Sequence, residues 1–151
     1  MLTLSGGGAY NWQLADAINA TSGWDMITVT GTVNIGATTA SPFTFKILPI
    51  LPTDANGSSL GLVPLNFSPA NSYSWTVLTA TSITGTFNAN AFTFDTSAFG
   101  FGALGTGSFF VTQSGSSLLL NFTPVPEPST YALLLLGLGA LAFTVRRRTT
   151  R

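Results

Sequence analysis

The chain has 151 residues, of which only 7% are charged, and it contains neither cysteine nor histidine. Disulfides, thiolate or histidine metal sites and a Ser-His-Asp triad are therefore excluded, and we expect no metal and no cofactor. Four of the five basic residues lie in the last six positions, which leaves one lysine against four aspartates in the body before them. A mildly acidic body argues against nucleic acid as a partner, because nucleic acid binding requires a basic surface.

Alternating apolar and polar residues predict β-strands through most of the chain up to residue 122. Ile27, Val29, Val33 and Ile35 alternate with Thr and Asn, which is the period of a half-buried strand. The same alternation recurs at residues 43–47, 73–77, 92–95 and 109–122. Segments rich in Gly, Pro, Asn and Ser separate these runs and predict turns. Because Thr and aromatic residues are also enriched, the sequence predicts an all-β body.

Four short segments of this body follow one another in a distinctive order. Residues 2–4 precede a Gly run, residues 24–33 contain Asp-Met-Ile-Thr-Val-Thr-Gly-Thr, and residues 73–78 precede Ile-Thr-Gly-Thr-Phe at 83–87. This order resembles the end of an autotransporter-type passenger, which implies stacked strands around one continuous apolar interior. We therefore predict the terminal rungs of a right-handed β-helix with closing hairpins, and the alternative is an antiparallel β-sandwich.

The carboxyl-terminal part of the chain is strongly apolar. From Tyr131 to Val145 there is no charged residue, and six leucines fall within this stretch. The 18 residues from Pro128 to Val145 would form a helix of about 27 Å, slightly shorter than the hydrocarbon core of about 30 Å. The leucines are consecutive, so the helix would have no polar face. We therefore predict one C-terminal transmembrane helix over residues 130–145.

A basic cluster follows the apolar stretch directly. Arg146, Arg147 and Arg148 come immediately after it. Arginines beside a membrane helix remain on the cytoplasmic side by the positive-inside rule. This predicts that residues 1–125 lie on the far side of the inner membrane.

A short proline-containing motif precedes the apolar stretch. Val125, Pro126, Glu127, Pro128 and Ser129 follow one another, and Glu127 is the only glutamate in the chain. Two prolines keep this segment extended and out of the following helix, so it is accessible to an enzyme. Read alone, Pro-Glu-Pro is an ordinary rigid linker. Followed by an apolar run and an arginine cluster, it resembles a PEP-CTERM sorting tail.

The resemblance to PEP-CTERM proteins implies export in a Gram-negative bacterium. It also implies a processing partner, exosortase, which is a membrane-embedded protein of the cysteine protease or transpeptidase type. The five residues of the motif would be its recognition and processing site. The helix would hold the chain in the inner membrane until processing, after which the body would reach the cell surface or be secreted.

The chain divides into four predicted segments. Residues 1–122 form a β-rich extracytoplasmic domain, 123–129 an extended sorting linker, 130–145 the membrane helix and 146–151 a basic cytoplasmic tail. The amino end has neither a basic region nor an apolar stretch of the kind that starts a secretory signal. We therefore expect the chain to be the carboxyl-terminal part of a longer exported protein, or its start to be misassigned.

We expect an exported, non-enzymatic protein of the cell surface or extracellular matrix. The PEP-CTERM family is associated with biofilm matrix and exopolysaccharide, so the resemblance implies an adhesive or structural role, with exopolysaccharide as a possible partner. One alternative is a carbohydrate-binding module, in which Trp12, Trp24, Tyr73 and Trp75 would form a sugar-stacking face. The other is the carboxyl-terminal fragment of a polysaccharide-active enzyme.

Catalysis within this chain would have to use carboxylates. The four aspartates of the body, Asp16, Asp25, Asp54 and Asp95, could supply the pair that glycoside hydrolysis requires. Each of them lies in or beside a predicted turn or on a polar strand face. We therefore expect structural roles for them, and core filling rather than sugar binding for the aromatic residues.

Overall fold

The computed structural model describes residues 1–21, 23–51, 61–125 and 133–138. Within these ranges the chain is mostly β. The strands are β1 (Leu2–Ser5), β2 (Ala9–Leu14), β3 (Ile27–Gly36), β4 (Phe43–Pro49), β5 (Tyr73–Gly85), β6 (Phe92–Asp95), β7 (Ser108–Ser114) and β8 (Ser117–Thr123). A single 3₁₀ turn, Ala89–Ala91, precedes β6, and residues 133–138 are helical.

The strands form two sheets. The longer sheet has the order β1-β3-β5-β8-β7 and the shorter has the order β2-β4-β6. β1, β3 and β5 are parallel to one another, and so are β2, β4 and β6. Parallel neighbours need a crossover connection, and here each crossover passes through a strand of the other sheet. β8 is antiparallel to both β5 and β7 and completes the longer sheet, which is curled.

The first change of sheet takes place at Gly6-Gly7-Gly8, between β1 and β2. Gly7 has φ +73°, a left-handed conformation that glycine adopts without steric cost. Its amide donates a hydrogen bond of 2.9 Å to the Pro42 carbonyl, which lies at the equivalent change from β3 to β4. The two turns are therefore bonded to each other, so the successive changes of sheet lie side by side.

The core lies between the two sheets and consists of the inward residues of the alternating strands. In β4 the buried residues alternate with more exposed ones, and in β8 the same alternation extends along the whole strand. The largest side chains with less than 2% exposure include Trp12, Ile47, Trp75, Leu120 and Phe122. In the described part of the chain, every buried side-chain nitrogen or oxygen has a hydrogen-bond partner.

The predicted fold class needs correction. The structure has a curled, mixed five-stranded sheet and a three-stranded parallel sheet, in place of terminal β-helix rungs joined to a membrane helix. The alternative, an antiparallel β-sandwich, is also wrong because both sheets contain parallel pairs. The physical reason is that alternation identifies the buried face of a strand but specifies neither its neighbour nor its direction.

The predicted transmembrane helix over residues 130–145 is not supported. Among the described residues no helix is long and apolar enough to cross a membrane. The helical segment 133–138 is the part of the predicted span that the structure describes. Its five leucines are 56–71% exposed, so they do not pack on the β-body. The rest of the predicted span lies outside the described residues.

The end of β5 requires a glycine. Gly85 has φ +88°, and a side chain at this position would collide with the carbonyl oxygen of Ile35 on the paired strand β3. Both the backbone conformation and the close approach exclude an L side chain. Gly31 lies where the pairing of β3 with β5 is irregular, and a Cβ at this position would meet no atom within 4 Å.

We predict that Gly85→Ala lowers the free energy of unfolding by about 3 kcal/mol, because strain and the collision with Ile35 add. The matched change Gly31→Ala should alter it by about 1 kcal/mol or less. Urea denaturation followed by tryptophan fluorescence measures both. Equal losses for the two variants would contradict the special role of Gly85.

Candidate functional site

The predicted sorting residues lie at the boundary of the described structure. Val125 is described and is half-exposed, at 50%. Pro126, Glu127, Pro128 and Ser129 lie outside the described residues. The same holds for the predicted orientation residues Arg146, Arg147 and Arg148. The structure therefore shows how the body presents the amino-terminal side of the motif.

The motif follows directly from an interior strand. β8 lies between β5 and β7 and ends at Thr123, only two residues before Val125. Phe122, the last buried residue of β8, is 1% exposed and fixes this end of the strand in the core. The sorting segment thus leaves the body from a strand that is hydrogen-bonded on both sides.

A hydrogen bond fixes the chain beyond the end of β8. The Thr106 hydroxyl donates to the carbonyl oxygen of Val125 at 3.0 Å. Thr106 belongs to the loop of residues 100–107 before β7, and this loop also packs on the end of β8. A side chain at Gly107 would collide with the Phe122 ring. The loop and the start of the sorting segment therefore form one local unit.

Sequence reasoning missed this contact. The glycines between Gly100 and Gly107 predict only turns in the sequence. Thr106 and Val125 are 19 residues apart and lie on segments with no shared periodicity. The sequence therefore carries no signal from which this contact could have been predicted.

The candidate sugar-stacking aromatics do not form an exposed row. Trp12 is 0% and Trp75 1% exposed, and their ring centroids are 5.4 Å apart in the core. The Tyr73 ring stacks on Trp75 at 5.2 Å, and the Tyr73 hydroxyl donates to the Asn66 carbonyl. Trp24 is partly buried and donates from Nε1 to the Thr76 carbonyl. The structure therefore uses these rings and their polar atoms internally.

The described aspartates hold turns and loops. Asp16 accepts hydrogen bonds from the Ile18 and Asn19 amides and from the side chain of Asn66. Asp25 accepts from the Gln13 amide at 3.2 Å. Asp54, the fourth candidate carboxylate, lies outside the described residues.

Hydrogen bonding also lowers the pKa of two of these carboxyl groups. The Ile18 amide and the Asn66 side chain lower the pKa of Asp16 below its ordinary value of 3.8. The side chain and amide of Ser97 lower the pKa of Asp95, and Lys46 on the neighbouring strand adds to the effect. A general acid for glycoside hydrolysis needs a raised pKa, which is the opposite of both shifts.

Tyr10 has a perturbed pKa. Burial, and secondarily the charge of Asp25, raise the pKa of Tyr10 to about 12. A phenol with this pKa stays protonated at neutral pH and cannot serve as a base. Its ring packs edge-on against Phe45, with centroids 6.0 Å apart.

We predict that Asp16→Asn reduces the acid sensitivity of the fold. Because the folded-state pKa of Asp16 is depressed, its contribution to stability is present above the unfolded value near 3.8 and is lost as the pH falls through the folded value. Wild-type stability should therefore fall more steeply below pH 4 than that of the variant. Urea midpoints measured between about pH 2 and pH 6 test this, and parallel curves would contradict it.

Comparison with known families identifies the carboxyl-terminal segment. Residues 124–148 match the PEP-CTERM protein-sorting motif, a span that includes Val125, the Pro-Glu-Pro sequence and the arginine cluster. No curated protein and no solved structure matches the chain, and nothing confirms the resemblance of the body to an autotransporter passenger. The chain therefore carries the PEP-CTERM sorting signal of an exported protein of the cell envelope or surface, processed by exosortase.

Proposed function

We propose that this chain is a non-enzymatic structural or adhesive protein of the cell surface or extracellular matrix, released to its final place by exosortase. The observation that carries the proposal is the sorting motif at residues 124–148, which begins one residue after β8 ends. A folded β-body attached directly to a sorting signal is an exported cargo. The body, not the tail, would then perform the function outside the cell.

The outer face of β3 and β5 supports exopolysaccharide as the partner. Hydroxyl and amide side chains on this face meet in pairs across the two strands, and we call this set the hydroxyl ladder. The hydroxyl ladder comprises Thr28, Thr32 and Asn34 on β3 and Thr79, Ser82 and Thr84 on β5. The Thr32 and Ser82 hydroxyls are 3.0 Å apart, and the other two pairs are 3.4 Å apart.

The chemistry of the hydroxyl ladder fits a polyhydroxyl ligand. Hydroxyl groups both donate and accept hydrogen bonds, and neutral groups impose no charge requirement on a polysaccharide. The side chains of the ladder are exposed or half-exposed. A row of such groups with fixed spacing along two strands offers repeated contacts, which suits a repeating polymer.

The roles of the described carboxylates support a function without catalysis. Asp16 and Asp95 bond to nearby backbone and side-chain groups, and both have lowered pKa values. Glycoside hydrolysis requires a carboxylic acid whose pKa is raised towards neutral pH, and the pKa values of Asp16 and Asp95 are shifted in the opposite direction.

We predict that the tail is removed in a host that contains exosortase. The chain would be expressed behind a functional signal peptide, and its carboxyl terminus determined by intact mass and peptide mapping. Everything after the Pro126–Pro128 region should be absent, and Glu127→Ala should retain the tail. The control is the same host without exosortase. A wild-type terminus that still carries Arg146 to Arg151 in the exosortase host would contradict the proposal.

We predict that the hydroxyl ladder binds the exopolysaccharide of the host. The double variant Thr28→Val, Thr79→Val removes one bonded pair and keeps side-chain volume in the strands. Removing these two hydroxyls deletes a hydrogen-bonding contact with the polysaccharide that is worth about 1 kcal/mol. Co-sedimentation with the purified polysaccharide should therefore weaken about fivefold. The matched control is Thr44→Val, Thr93→Val, which removes the 2.9 Å hydroxyl pair of the shorter sheet.

Three results would contradict this role. Equal weakening by both double variants would assign the loss to a general effect on the fold. Unchanged binding by both variants would exclude the hydroxyl ladder as the contact. New reducing ends in the polysaccharide after incubation would show hydrolysis and would overturn the non-enzymatic assignment.

A further inference from the structure

The loop of residues 100–107 exposes a large aromatic side chain completely. Phe101 has a relative exposure of 110%, the highest of any large hydrophobic side chain among the described residues. The loop contains no charged residue. A single exposed apolar residue is ordinary on a protein surface, so the surroundings of Phe101 decide whether it has a role.

The exposure of Phe101 does not arise from a frayed loop. Three successive turns hold the backbone: Ala103 bonds to Gly100, Gly105 to Gly102 and Gly107 to Leu104, at 2.9–3.0 Å. Ala103 and Leu104 pack against the core, and Phe99 on the other side is only 7% exposed. The loop is therefore anchored on both sides of Phe101 and projects this one ring into solvent.

The same loop adjoins the sorting motif. Thr106 holds the Val125 carbonyl, and Gly107 packs on Phe122 at the end of β8. Val125 is covalently bonded to Pro126, the first residue of Pro-Glu-Pro. No spacer separates the folded body from the motif, so an enzyme that binds the motif approaches the body next to this loop.

We propose that loop 100–107 is a second contact surface for exosortase, with Phe101 as its apolar anchor. The inference rests on the processing by exosortase described above and adds a contact outside the matched segment 124–148. Aromatic side chains, Phe among them, are enriched in protein interfaces, where a few buried anchors carry most of the binding energy. A rigid loop loses little conformational entropy on binding, which favours recognition by a preformed surface. Thr106 is a positioning residue that holds the loop and the motif together.

The test compares rates of tail removal for the full chain, expressed behind a functional signal peptide in an exosortase-bearing host. Phe101→Ser should slow conversion at least about fivefold, the effect of losing a typical anchor. Phe101→Leu keeps an apolar side chain and should stay within about twofold of wild type. The matched control is Phe110→Ser, which removes an exposed ring (40%) from the outer face of β7. Pulse-chase labelling with intact-mass detection gives the rates, and thermal unfolding verifies that each variant folds.

Several outcomes would overturn the inference. Conversion of Phe101→Ser at the wild-type rate excludes the contact, and equal slowing by Phe110→Ser shows that the effect is not specific to the loop. If Phe101→Ser reduces binding to phosphatidylethanolamine–phosphatidylglycerol vesicles while conversion is unchanged, the partner of the loop is lipid and not exosortase. If the wild-type chain is not processed, both its processing by exosortase and this inference are wrong. Normal processing without exopolysaccharide binding would contradict only the proposed matrix role.

Discussion

The aromatic cluster around Trp75 holds the two sheets and the connecting loops together. Its ring stacks on Tyr73 and lies 5.4 Å from Trp12 of the shorter sheet. Its indole nitrogen donates a buried hydrogen bond of 2.9 Å to the Ala17 carbonyl in the loop after β2. Phe109 of β7 contacts Trp75, and it packs on Phe122 at the end of β8 with centroids 5.1 Å apart. The position at which the sorting segment leaves the body therefore depends on this cluster.

A body with almost no charge must obtain its solubility and its strand pairing from neutral groups. Outward Thr, Ser and Asn side chains bond to one another across neighbouring parallel strands, as Thr44 does with Thr93 at 2.9 Å. Each pair satisfies part of the hydrogen-bonding capacity of its members and leaves the rest free for water or a ligand. Lys46 and Asp95 occupy opposite positions in the register of β4 and β6, so the few charges are also matched locally.

The sequence predicted the buried face of most strands but not the architecture. In β4, Phe43, Phe45 and Ile47 are buried as their alternation indicates, and Lys46 is exposed. The turn at Ser114-Gly115-Ser116 joins β7 and β8, with Gly115 at φ +56°. The sequence did not predict which strands pair, because several strands have similar patterns of Thr and aromatic residues. Exchanging one neighbouring strand for another leaves the buried face of a strand unchanged. The Thr106–Val125 contact joins segments without a common pattern, so only the structure reveals it.

The described contacts that hold β8 in the body all involve residues before the Pro-Glu-Pro sequence. The Val125 carbonyl is held by Thr106, and the last buried side chain of β8 is Phe122, both before the Pro-Glu-Pro motif. The leucines of segment 133–138 remain 56–71% exposed, so the body gains little burial from them. Among the described residues, loss of segment 133–138 therefore deletes no part of the core. The interior strand β8, from which the sorting segment leaves, is paired with β5 and β7 on either side and ends before that segment begins.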